Sequence, residues 1–322
     1  MMHRKEEVDK LSKLQREKPL AYKKMCGFSE KIEKGESIAI IRIEYSYACN
    51  FRCTHCVTDG FRNRQRILKP SIVRRIAREA DELGLGRFVL TGGEPLVFPD
   101  LKELIISLMP EKFYVNIDTN GWYLTEVVAQ NLKRLGVDRI QLSIDSLIPE
   151  EHDKFRNKPG SWERAMEAIP YVRKAGLDLF IQTVVTKSRL YSKEFLQFVE
   201  HFNMLGIGVF VTFIKAQGAG EAFKDDMCSK EDFRYFDKLC EKMNLFWHLT
   251  PAYGRPGCCP ASRGMVSITP WGDVNACLYL HKPIGNVFDD SLKTILERGM
   301  KTKPWDEILD TCPAADREWK WE

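Results

Sequence analysis

Strand-like and helix-like segments alternate along the first two thirds of the chain, and this alternation restricts its possible folds most. Six short apolar runs have the character of buried strands: Ile38–Tyr45, Phe88–Leu90, Tyr114–Asp118, Arg139–Ile144, Leu179–Val185 and Val209–Ile214. Five amphipathic segments lie between or after them: Pro70–Leu83, Asp100–Met109, Thr125–Leu135, Ser161–Ala175 and Ser192–Leu205. Such an alternation predicts an α/β protein built from parallel β-α-β units. In parallel barrels the chemistry is at the carboxyl ends of the strands.

Three cysteines follow the first predicted strand within eight residues: Cys49, Cys53 and Cys56. This spacing lets one short loop present three thiolates to three irons of a four-iron cluster. Iron–sulfur clusters usually take four cysteine ligands, so a loop with three leaves one iron open, and open metal positions are where chemistry occurs. The alternative is a structural zinc site completed by His55 or a distant cysteine, although zinc ligands usually come as C-x2-C pairs.

A second motif, Thr91-Gly92-Gly93-Glu94-Pro95, ends the second predicted strand. Paired glycines at a strand end let the backbone approach a ligand closely. A carboxylate beside them can receive an ammonium group. The sequence therefore predicts a ligand contact at this strand end, on the same edge of the sheet as the cysteine loop.

Taken together, the C-x3-C-x2-C loop and the Gly-Gly-Glu-Pro segment resemble the radical S-adenosylmethionine (SAM) superfamily. The resemblance implies a partial (β/α)6 barrel of TIM type in which the three loop cysteines hold a [4Fe-4S] cluster and SAM chelates the open iron. One electron from the cluster would cleave the sulfonium and yield a 5′-deoxyadenosyl radical, with a reductase such as flavodoxin or ferredoxin as the partner. Gly92, Gly93 and Glu94 would meet the methionine amino group.

Polar residues at later strand ends extend the resemblance. Thr119 and Asn120 are similar to the family's T-N-G segment and would lie near the SAM methionine or ribose. Ser143 and Asp145 are similar to the S-x-D segment of relatives with auxiliary clusters. For Asp145, a turn or cap role stays open.

Two further residues are assigned to SAM by the same resemblance. In the sulfatase-maturase branch, a serine and an arginine hold the SAM carboxylate, and Ser143 and Arg164 match them. An arginine fork suits a carboxylate because it can bond both oxygens, although a solvated helix residue is the alternative for Arg164.

The resemblance also assigns two other places in the chain. Val185, at the end of the fifth strand, would pass beneath adenine. His152 and Asp153 resemble the family's H-D-x-x-R segment and are expected in a structural or SAM-facing loop.

Four more cysteines lie near the C-terminus: Cys258, Cys259, Cys277 and Cys312. With two predicted strands, Met265–Thr269 and Asp273–Ala276, and the pair Gly285-Asn286, they resemble the SPASM and twitch extensions, which bind auxiliary [4Fe-4S] clusters. The resemblance implies a small β-hairpin and helix extension in which Cys259, Cys277 and Cys312 ligate a second cluster.

The fourth ligand of that cluster stays open. The twitch form ends in a C-x2-C pair, but Ala315 stands at the third place after Cys312. The fourth position could be filled by Cys258, by a distant cysteine or by substrate; the distant candidates are Cys26, Cys228 and Cys240. Buried thiols or a zinc site are the alternatives to a cluster.

An unassigned thiol could also serve as a hydrogen donor. If Cys258 is not a ligand, it could return a hydrogen atom to a substrate radical, which would make the enzyme an epimerase. An inert packed thiol is the competing interpretation of Cys258. If no thiol donates, the auxiliary cluster could accept an electron, giving a dehydrogenase or a new cross-link.

Composition limits the class of protein and the arrangement of the chain. The 322 residues are 44% hydrophobic, enough for one large α/β domain and a smaller unit. We expect an N-terminal helical extension at 1–36, the barrel at 37–220, a helical linker at 221–256 and the auxiliary-cluster unit at 257–322. The N-terminus lacks the apolar core of a signal peptide, and no apolar run reaches about 18 residues, so no membrane span is expected.

Cysteine use and charge point to the compartment and the partners. Ten cysteines in a chain without a signal peptide predict a cytoplasmic protein with thiol or metal chemistry rather than disulfides. The net charge of +4 comes from 49 basic and 45 acidic residues, so nucleic acid is not an expected partner. The basic stretch 61–66 is interpreted as a solvated loop face, with contact to an anionic substrate as the alternative.

The resemblance implies an enzyme that abstracts a hydrogen atom from a carbon of an external substrate. Relatives with such C-terminal extensions act mostly on ribosomally made peptides, which favours peptide modification such as epimerisation or cross-linking. Dehydrogenation or epimerisation of a small metabolite, such as an amino-sugar, is the second interpretation. A non-catalytic iron–sulfur or zinc-binding sensor or scaffold is the third interpretation. The residues assigned to SAM argue against it, because a scaffold does not need SAM contacts.

Overall fold

The computed structural model describes residues 11–62, 64–250 and 257–319. These residues form one ten-stranded sheet in the order β10-β9-β8-β1-β2-β3-β4-β5-β6-β7. Its strands are β1 Ile40–Ser46, β2 Arg87–Gly92, β3 Tyr114–Thr119, β4 Arg139–Ser143, β5 Asp178–Val185, β6 Gly208–Phe213, β7 Leu245–Phe246, β8 Met265–Ile268, β9 Asp273–Cys277 and β10 Leu280–Asn286. Strands β1 to β7 run parallel, each paired with the next.

Helices cover the outer face of this sheet. They are α1 Pro19–Cys26, α2 Phe28–Glu33, α3 Pro70–Glu82, α4 Leu101–Ser107, α5 Glu126–Arg134, α6 Pro149–Arg156, α7 Ser161–Lys174, α8 Lys187–Leu190, α9 Lys193–Met204, α10 Lys230–Cys240 and α11 Leu292–Gly299. The six predicted strands and five predicted helices are all present, with ends that differ by the residue or two by which such bounds ordinarily vary. The predicted α/β fold, a partial barrel with parallel strands, is confirmed.

Successive side chains of β1 point alternately into the hydrophobic core under the helices and into the interior of the barrel. Ile41, Ile43 and Tyr45 are fully buried in the apolar cluster beneath the helices. Arg42 and Glu44, which come between them, line a pocket on the other face. Because successive side chains of a strand point to opposite faces, one strand supplies both the hydrophobic core and the polar interior.

Helix α6 is a difference from the sequence-based expectation, which placed this segment in a loop. Pro149 occupies its first turn together with Glu150 and Glu151, and Asn157 ends it in the left-handed conformation with φ 48°. Proline and acidic residues both suit the first turn of a helix. The helix buries His152 and Arg156, two polar residues, so it lacks the apolar periodicity that identified the other helices.

The C-terminal strands continue the sheet of the barrel. The predicted hairpin is present as β8 and β9, and its turn contains Gly272 with φ 84°. Strand β8 also pairs in parallel with β1, with Val266 opposite Ile41. Strand β10, which was not predicted, pairs antiparallel with β9. Because β9 runs antiparallel to β8, and β8 runs parallel to β1, this register places Cys277, the last residue of β9, towards the amino end of β1.

The N-terminal helices are tied to the barrel through a buried lysine. Lys18 Nζ donates to the carboxylate of Asp138 and to the carbonyl oxygens of Phe113 and Gly136, at 3.0 Å and 2.6 Å for the carbonyls. Lys18 is 8% exposed, so the three acceptors replace the water that its ammonium loses. The described part of the predicted N-terminal extension begins at residue 11, which is helical. Residues 1–10 of the extension lie outside the described residues.

The described helices also bear on the expectation of no membrane span. None of them has both the length and the apolar character that crossing a lipid bilayer requires. The predicted linker at 221–256 is only partly helical: its described part contains a 3-10 segment that ends at Asp226, then α10, and then β7, which pairs with β6. Residues 251–256 lie outside the described part of the chain.

Candidate active site

A polar pocket opens at the carboxyl ends of the parallel strands. Its empty space is about 1080 Å³, including the part open to solvent. Nine of the predicted site residues line it: Cys49, Cys53, Cys56, Gly92, Gly93, Glu94, Thr119, Asn120 and Ser143. The structure therefore brings the two main sequence motifs and two later strand ends onto one cavity.

The three loop cysteines present half-buried thiols to this pocket. The backbone N–H of Phe51 donates to Cys49 Sγ at 3.4 Å, and Cys56 Sγ lies 3.5 Å from Thr58 Oγ1. Burial raises the pKa of Cys49 to about 11. A buried thiolate therefore needs a compensating positive charge, which bound iron would supply because metal ligation requires the deprotonated thiol. Three such thiols on one loop fit a cluster with an open iron.

Helix α6 contacts the cysteine loop through the backbone and the ring of Phe155. The backbone N–H and the hydroxyl of Thr54 both donate to the carbonyl oxygen of Phe155, at 3.1 Å and 3.0 Å. The ring of His55 stacks on that of Phe155 with centroids 4.2 Å apart. Burial lowers the pKa of His55 to about 3, so this imidazole is neutral. His55 consequently acts as an aromatic packing surface in the loop.

Asp145 is the centre of a buried polar network behind this loop. Its carboxylate accepts from Arg156 Nε at 2.6 Å and from the backbone N–H of Val184 at 2.9 Å. Its own backbone N–H donates to His152 Nδ1 at 3.0 Å. Burial alone would raise the pKa of Asp145, but the surrounding groups, Arg156 foremost, more than offset this effect and hold that pKa well below its usual range. Asp145 is thus a buried anion that fixes strand ends and α6.

The glycine pair packs against the start of the cysteine loop. The N–H of Gly93 donates to Ser46 O at 2.8 Å, and the N–H of Glu94 donates to Ala48 O at 2.9 Å. A Cβ on Gly93 would overlap the carbonyl oxygen of Ala48, and Gly92 has φ 116°. These glycines are required because two backbone segments meet here without space for side chains.

We expect Gly93→Ala to lose most of the iron that the wild-type protein takes up. The new methyl group must displace Ala48, next to Cys49, because the overlap is with backbone and cannot be relieved by a side-chain rotation. Iron per chain after anaerobic reconstitution measures the effect. Gly60→Ala is the matched control, because a Cβ at Gly60 meets no atom within 4 Å; equal iron contents in the two variants would contradict the prediction.

Glu94 presents a buried carboxylate to the same pocket. It accepts from Thr119 Oγ1 at 2.6 Å, from the N–H of Asn120 at 2.7 Å and from the N–H of Leu96 at 3.0 Å. Burial raises the pKa of Glu94 to about 7 in spite of these three donors. A buried carboxylate gains most from a cationic partner, so the arrangement fits the ammonium group that the sequence motif predicts.

Three of the residues predicted to contact SAM are not on the pocket wall. Arg164 lies on α7 with a side chain 56% exposed, and its guanidinium is 3.6 Å from Glu167. Asp145 belongs to the buried network described above. Val185 is fully buried in the apolar core, and its neighbour Val184 lines the pocket instead. The strand period of two places Val184 and Val185 on opposite faces of β5.

Several pocket residues had not been identified from the sequence. They are polar side chains within or just after apolar strands: Arg42, Glu44, Asp118, Gln182, Thr212 and Lys215. Arg42 and Asp118 form an ion pair at 2.6 Å. Charged residues that interrupt a buried apolar strand are the signal that would have found them, since such groups are rarely buried without a partner or a role.

The basic stretch after the cysteine loop is engaged within the protein. Arg62 donates to the carbonyl oxygen of Phe51, and Arg64 lies over the ring of Trp271 at 3.9 Å. Arg66 forms an ion pair with Asp100 at 2.7 Å. The stretch therefore supports the loop and its surroundings; Asn63 lies outside the described residues.

One of the C-terminal cysteines, Cys277, directly precedes two residues that line the pocket, Leu278 and Tyr279. Cys277 and Cys312 are buried, and Cys258 and Cys259 are half-buried. Burial raises the pKa of Cys259, and the thiols of Cys312, Cys277 and Cys258 add to that rise. Burial raises the pKa of Cys277 to about 12, with Cys312 as the next contribution. Backbone hydrogen bonds from the N–H of Cys259 to Leu309 O at 2.8 Å and from the N–H of Ser262 to Ala276 O at 3.2 Å bring the cysteine-bearing segments together.

The donor set is compatible with a cluster rather than with one ion. In the part of the chain that the structure describes, no three His, Cys, Asp or Glu side chains converge closely enough to bind a single metal ion. A cubane cluster spreads its ligands, with one thiolate on each iron, so neighbouring thiols need not meet at one point. Cys258, adjacent to Cys259, is the nearest candidate for the fourth ligand in sequence.

Comparison with known proteins identifies the family. The profile of the Radical SAM superfamily matches residues 43–214, more than half of the chain. The protein belongs to the radical SAM superfamily, whose members use a [4Fe-4S] cluster and SAM, and it is an enzyme of that class. The match begins in β1 and ends just after β6, so it covers these six parallel strands and most of the residues that line the pocket.

Curated relatives and solved structures extend the likeness. Over 280 residues the chain is 29% identical to the mycofactocin maturase MftC of Mycolicibacterium smegmatis, covering 81% of this chain and 70% of the relative. Over 279 residues it is 26% identical to an AdoMet-dependent heme synthase of Nitratidesulfovibrio vulgaris, covering 77% and 76%. Streptococcus suis SuiB, solved with precursor peptide SuiA, aligns with TM-score 0.66 at 17% identity over 86% of this chain and 68% of its own. That coverage exceeds the family match, so the shared fold includes part of the C-terminal extension.

Proposed function

We propose that this enzyme abstracts a hydrogen atom from a carbon of a peptide substrate and so modifies a ribosomally made peptide. The observation that carries the proposal is the single pocket that joins the three loop thiols, the buried Glu94 carboxylate and the later strand ends. The names of two relatives, a mycofactocin maturase and a protein solved with a precursor peptide, support a peptide as the substrate. A cluster held by Cys49, Cys53 and Cys56, with SAM bound to it, would supply the abstracting radical.

The roles of the pocket residues follow from their chemistry. Cys49, Cys53 and Cys56 would hold the cluster. Glu94 would receive the ammonium group of SAM, with its carboxylate kept in place by Thr119 and the backbone of Asn120. Ser143 would bond the SAM carboxylate. We leave Arg164 out of this set, because its side chain is exposed and faces Glu167.

A second cluster in the C-terminal extension is part of the proposal. Cys259, Cys277 and Cys312 would be three of its ligands and Cys258 the fourth. Cys258 is not among the described residues that line the pocket, which favours the ligand role over hydrogen donation to a substrate there. With no thiol donor at the radical, oxidative outcomes such as dehydrogenation or cross-linking are favoured over epimerisation.

The proposal is tested by coexpressing the chain with each short open reading frame that flanks its gene. We expect one encoded peptide to lose two hydrogen atoms, detected by mass spectrometry, or to gain deuterium from heavy water if epimerisation occurs. The matched control is the Cys53→Ala protein, which should leave every peptide unchanged. A protein that cleaves SAM but modifies none of the encoded peptides would contradict the peptide substrate.

A small polar metabolite is the second candidate. It is favoured by the charged residues that line the pocket, among them Arg42, Glu44 and Asp118. The heme synthase among the relatives also favours it. The test above separates the two candidates, because a small-molecule enzyme would leave all flanking peptides intact. Membership of an enzyme superfamily favours either of them over a non-catalytic scaffold.

Binding of SAM is expected to weaken as the pH falls through about 7. The pKa of Glu94 is raised to about 7 by burial, so at lower pH the carboxyl is protonated and must lose its proton before it can pair with an ammonium group. Affinity should therefore decline towards about tenfold per pH unit below that value. Equilibrium dialysis of SAM against the anaerobically reconstituted protein measures it.

Two variants make this pH dependence specific. Glu94→Gln should bind SAM weakly at every pH in the range, with the slope near pH 7 removed. Glu82→Gln, on the exposed side of α3, should behave as the wild type. A wild-type affinity that is constant across this range would contradict the role of Glu94.

A further inference from the structure

Lys215 is a buried cation without a carboxylate partner. It follows β6, is 3% exposed, and its Nζ donates to the carbonyl oxygen of Phe213 at 2.5 Å. The same Nζ lies 3.9 Å from the ring centroid of Tyr279. Within the described ranges, no Asp or Glu oxygen comes within ion-pair distance of it, whereas Lys18, another deeply buried lysine, is paired with Asp138. Burial of an ammonium group is costly unless an anion offsets it.

The position of Lys215 indicates where that anion would be. Lys215 and Tyr279 both line the SAM pocket, and Tyr279 is two residues beyond Cys277. Leu278, the residue between Cys277 and Tyr279, lines the same pocket, so the segment that leaves Cys277 runs directly past the ammonium group of Lys215. Lys215 therefore stands at the boundary between the SAM pocket and the C-terminal cysteines.

We propose that Lys215 is the counter-charge of the C-terminal cluster and raises its reduction potential. Thiolate ligands make such a site anionic, and one added electron increases its negative charge. A neighbouring ammonium group stabilises the more negative form, and net charge and burial are among the factors that set iron–sulfur potentials. The inference rests on the proposed auxiliary cluster and deepens it: Lys215 would make that site a better electron acceptor, as oxidative reactions require.

Tyr279 fixes the cation in this position. Its ring covers Nζ at the distance of a cation–π contact, an interaction that strengthens when water is excluded. With the Phe213 carbonyl on one side and the ring on another, the ammonium group is held at the edge of the pocket rather than free to extend into solvent. The competing partner for Lys215 is an anionic group of the substrate, which would leave the potential of the cluster independent of the lysine.

The test isolates the C-terminal site. In a Cys49→Ala/Cys53→Ala/Cys56→Ala protein, reconstituted anaerobically, the remaining cluster is titrated potentiometrically and followed by electron paramagnetic resonance. Adding Lys215→Met should lower the equilibrium constant for its reduction by about tenfold, which is 59 mV for a one-electron couple. Lys215→Arg should retain most of the wild-type potential. Lys293→Met is the matched control, since Lys293 is an exposed residue of α11.

The outcomes separate this inference from the function on which it rests. A cluster whose potential is the same with Lys215 and with Lys215→Met overturns the inference and leaves the auxiliary cluster in place. A triple-alanine protein that takes up no iron overturns the auxiliary cluster and the inference with it. If circular dichroism shows that Lys215→Met is misfolded, Lys215→Gln replaces it, because glutamine removes the charge and keeps a polar group.

Discussion

Replacing Cys49, Cys53 or Cys56 singly by serine is expected to abolish reductive cleavage of SAM. The three thiols share one short loop and line one pocket. A cluster with only three protein ligands needs each of them, because no further cysteine of the loop can replace one that is lost. Production of 5′-deoxyadenosine by the reduced, anaerobic protein, measured by chromatography, should fall to the level of a protein-free control. The iron content should fall by about four per chain, the content of one cubane.

Cys26→Ser provides the matched control for these variants. Cys26 is an exposed thiol at the end of α1, remote in sequence from both cysteine groups. It should keep the wild-type rate and iron content. A loop variant that still cleaves SAM at a rate comparable with that of Cys26→Ser would contradict the assignment of that cysteine as a ligand.

Replacing Arg156 by methionine is expected to lower the free energy of unfolding by about 3–5 kcal/mol. Arg156 and Asp145 form a buried ion pair at 2.6 Å, with side chains 9% and 4% exposed. Removing the cation leaves the carboxylate of Asp145 buried without its main partner, and this uncompensated charge is the source of the cost. Urea denaturation of the apoprotein, followed by circular dichroism, measures the change.

The same variant should also weaken iron uptake, because α6, which Arg156 ties to Asp145, contacts the cysteine loop through Phe155. Asp145→Asn in the Arg156→Met background should recover part of the lost stability by removing the orphaned charge. Arg164→Met, on the exposed face of α7, should change the free energy of unfolding by less than about 0.5 kcal/mol. Equal losses for Arg156→Met and Arg164→Met would contradict the role given to the buried pair.

The pH dependence of stability has a defined sign for this pair. The pKa of Asp145 is lower in the folded protein than its ordinary value of 3.8 because of Arg156. Its contribution is therefore fully present above the unfolded value and is lost as the pH falls below it. The Arg156→Met protein should show a weaker dependence of unfolding on acid than the wild type.

Most of the barrel could be predicted from the sequence, because each strand is a contiguous apolar run and each helix has a contiguous amphipathic pattern. The elements that were missed lack those patterns. Helix α6 buries polar residues, and β7 has only two residues, Leu245–Phe246. The pairing of β8 with β1 joins segments more than 200 residues apart, and no local pattern specifies it.

The site residues that belong to contiguous motifs could be predicted from the sequence. The prediction was incomplete for residues whose place in the pocket depends on the direction in which a side chain points. The cysteine loop and the Gly-Gly-Glu-Pro segment reach the pocket together because both follow parallel strands. Val184 rather than Val185 faces the pocket because the sides of a strand alternate. Lys215 follows β6 without any motif, so its burial beside Tyr279 required the three-dimensional arrangement.

The most direct test of the account is the iron and sulfide content of four proteins after anaerobic reconstitution. We predict about eight irons per chain for the wild type and about four for the Cys49/Cys53/Cys56→Ala variant. A variant with alanine at the three C-terminal positions, Cys259, Cys277 and Cys312, should also hold about four, and a variant with all six changes should hold none. A Cys49/Cys53/Cys56→Ala protein without iron would contradict the second cluster and reduce the enzyme to one metal site in the barrel.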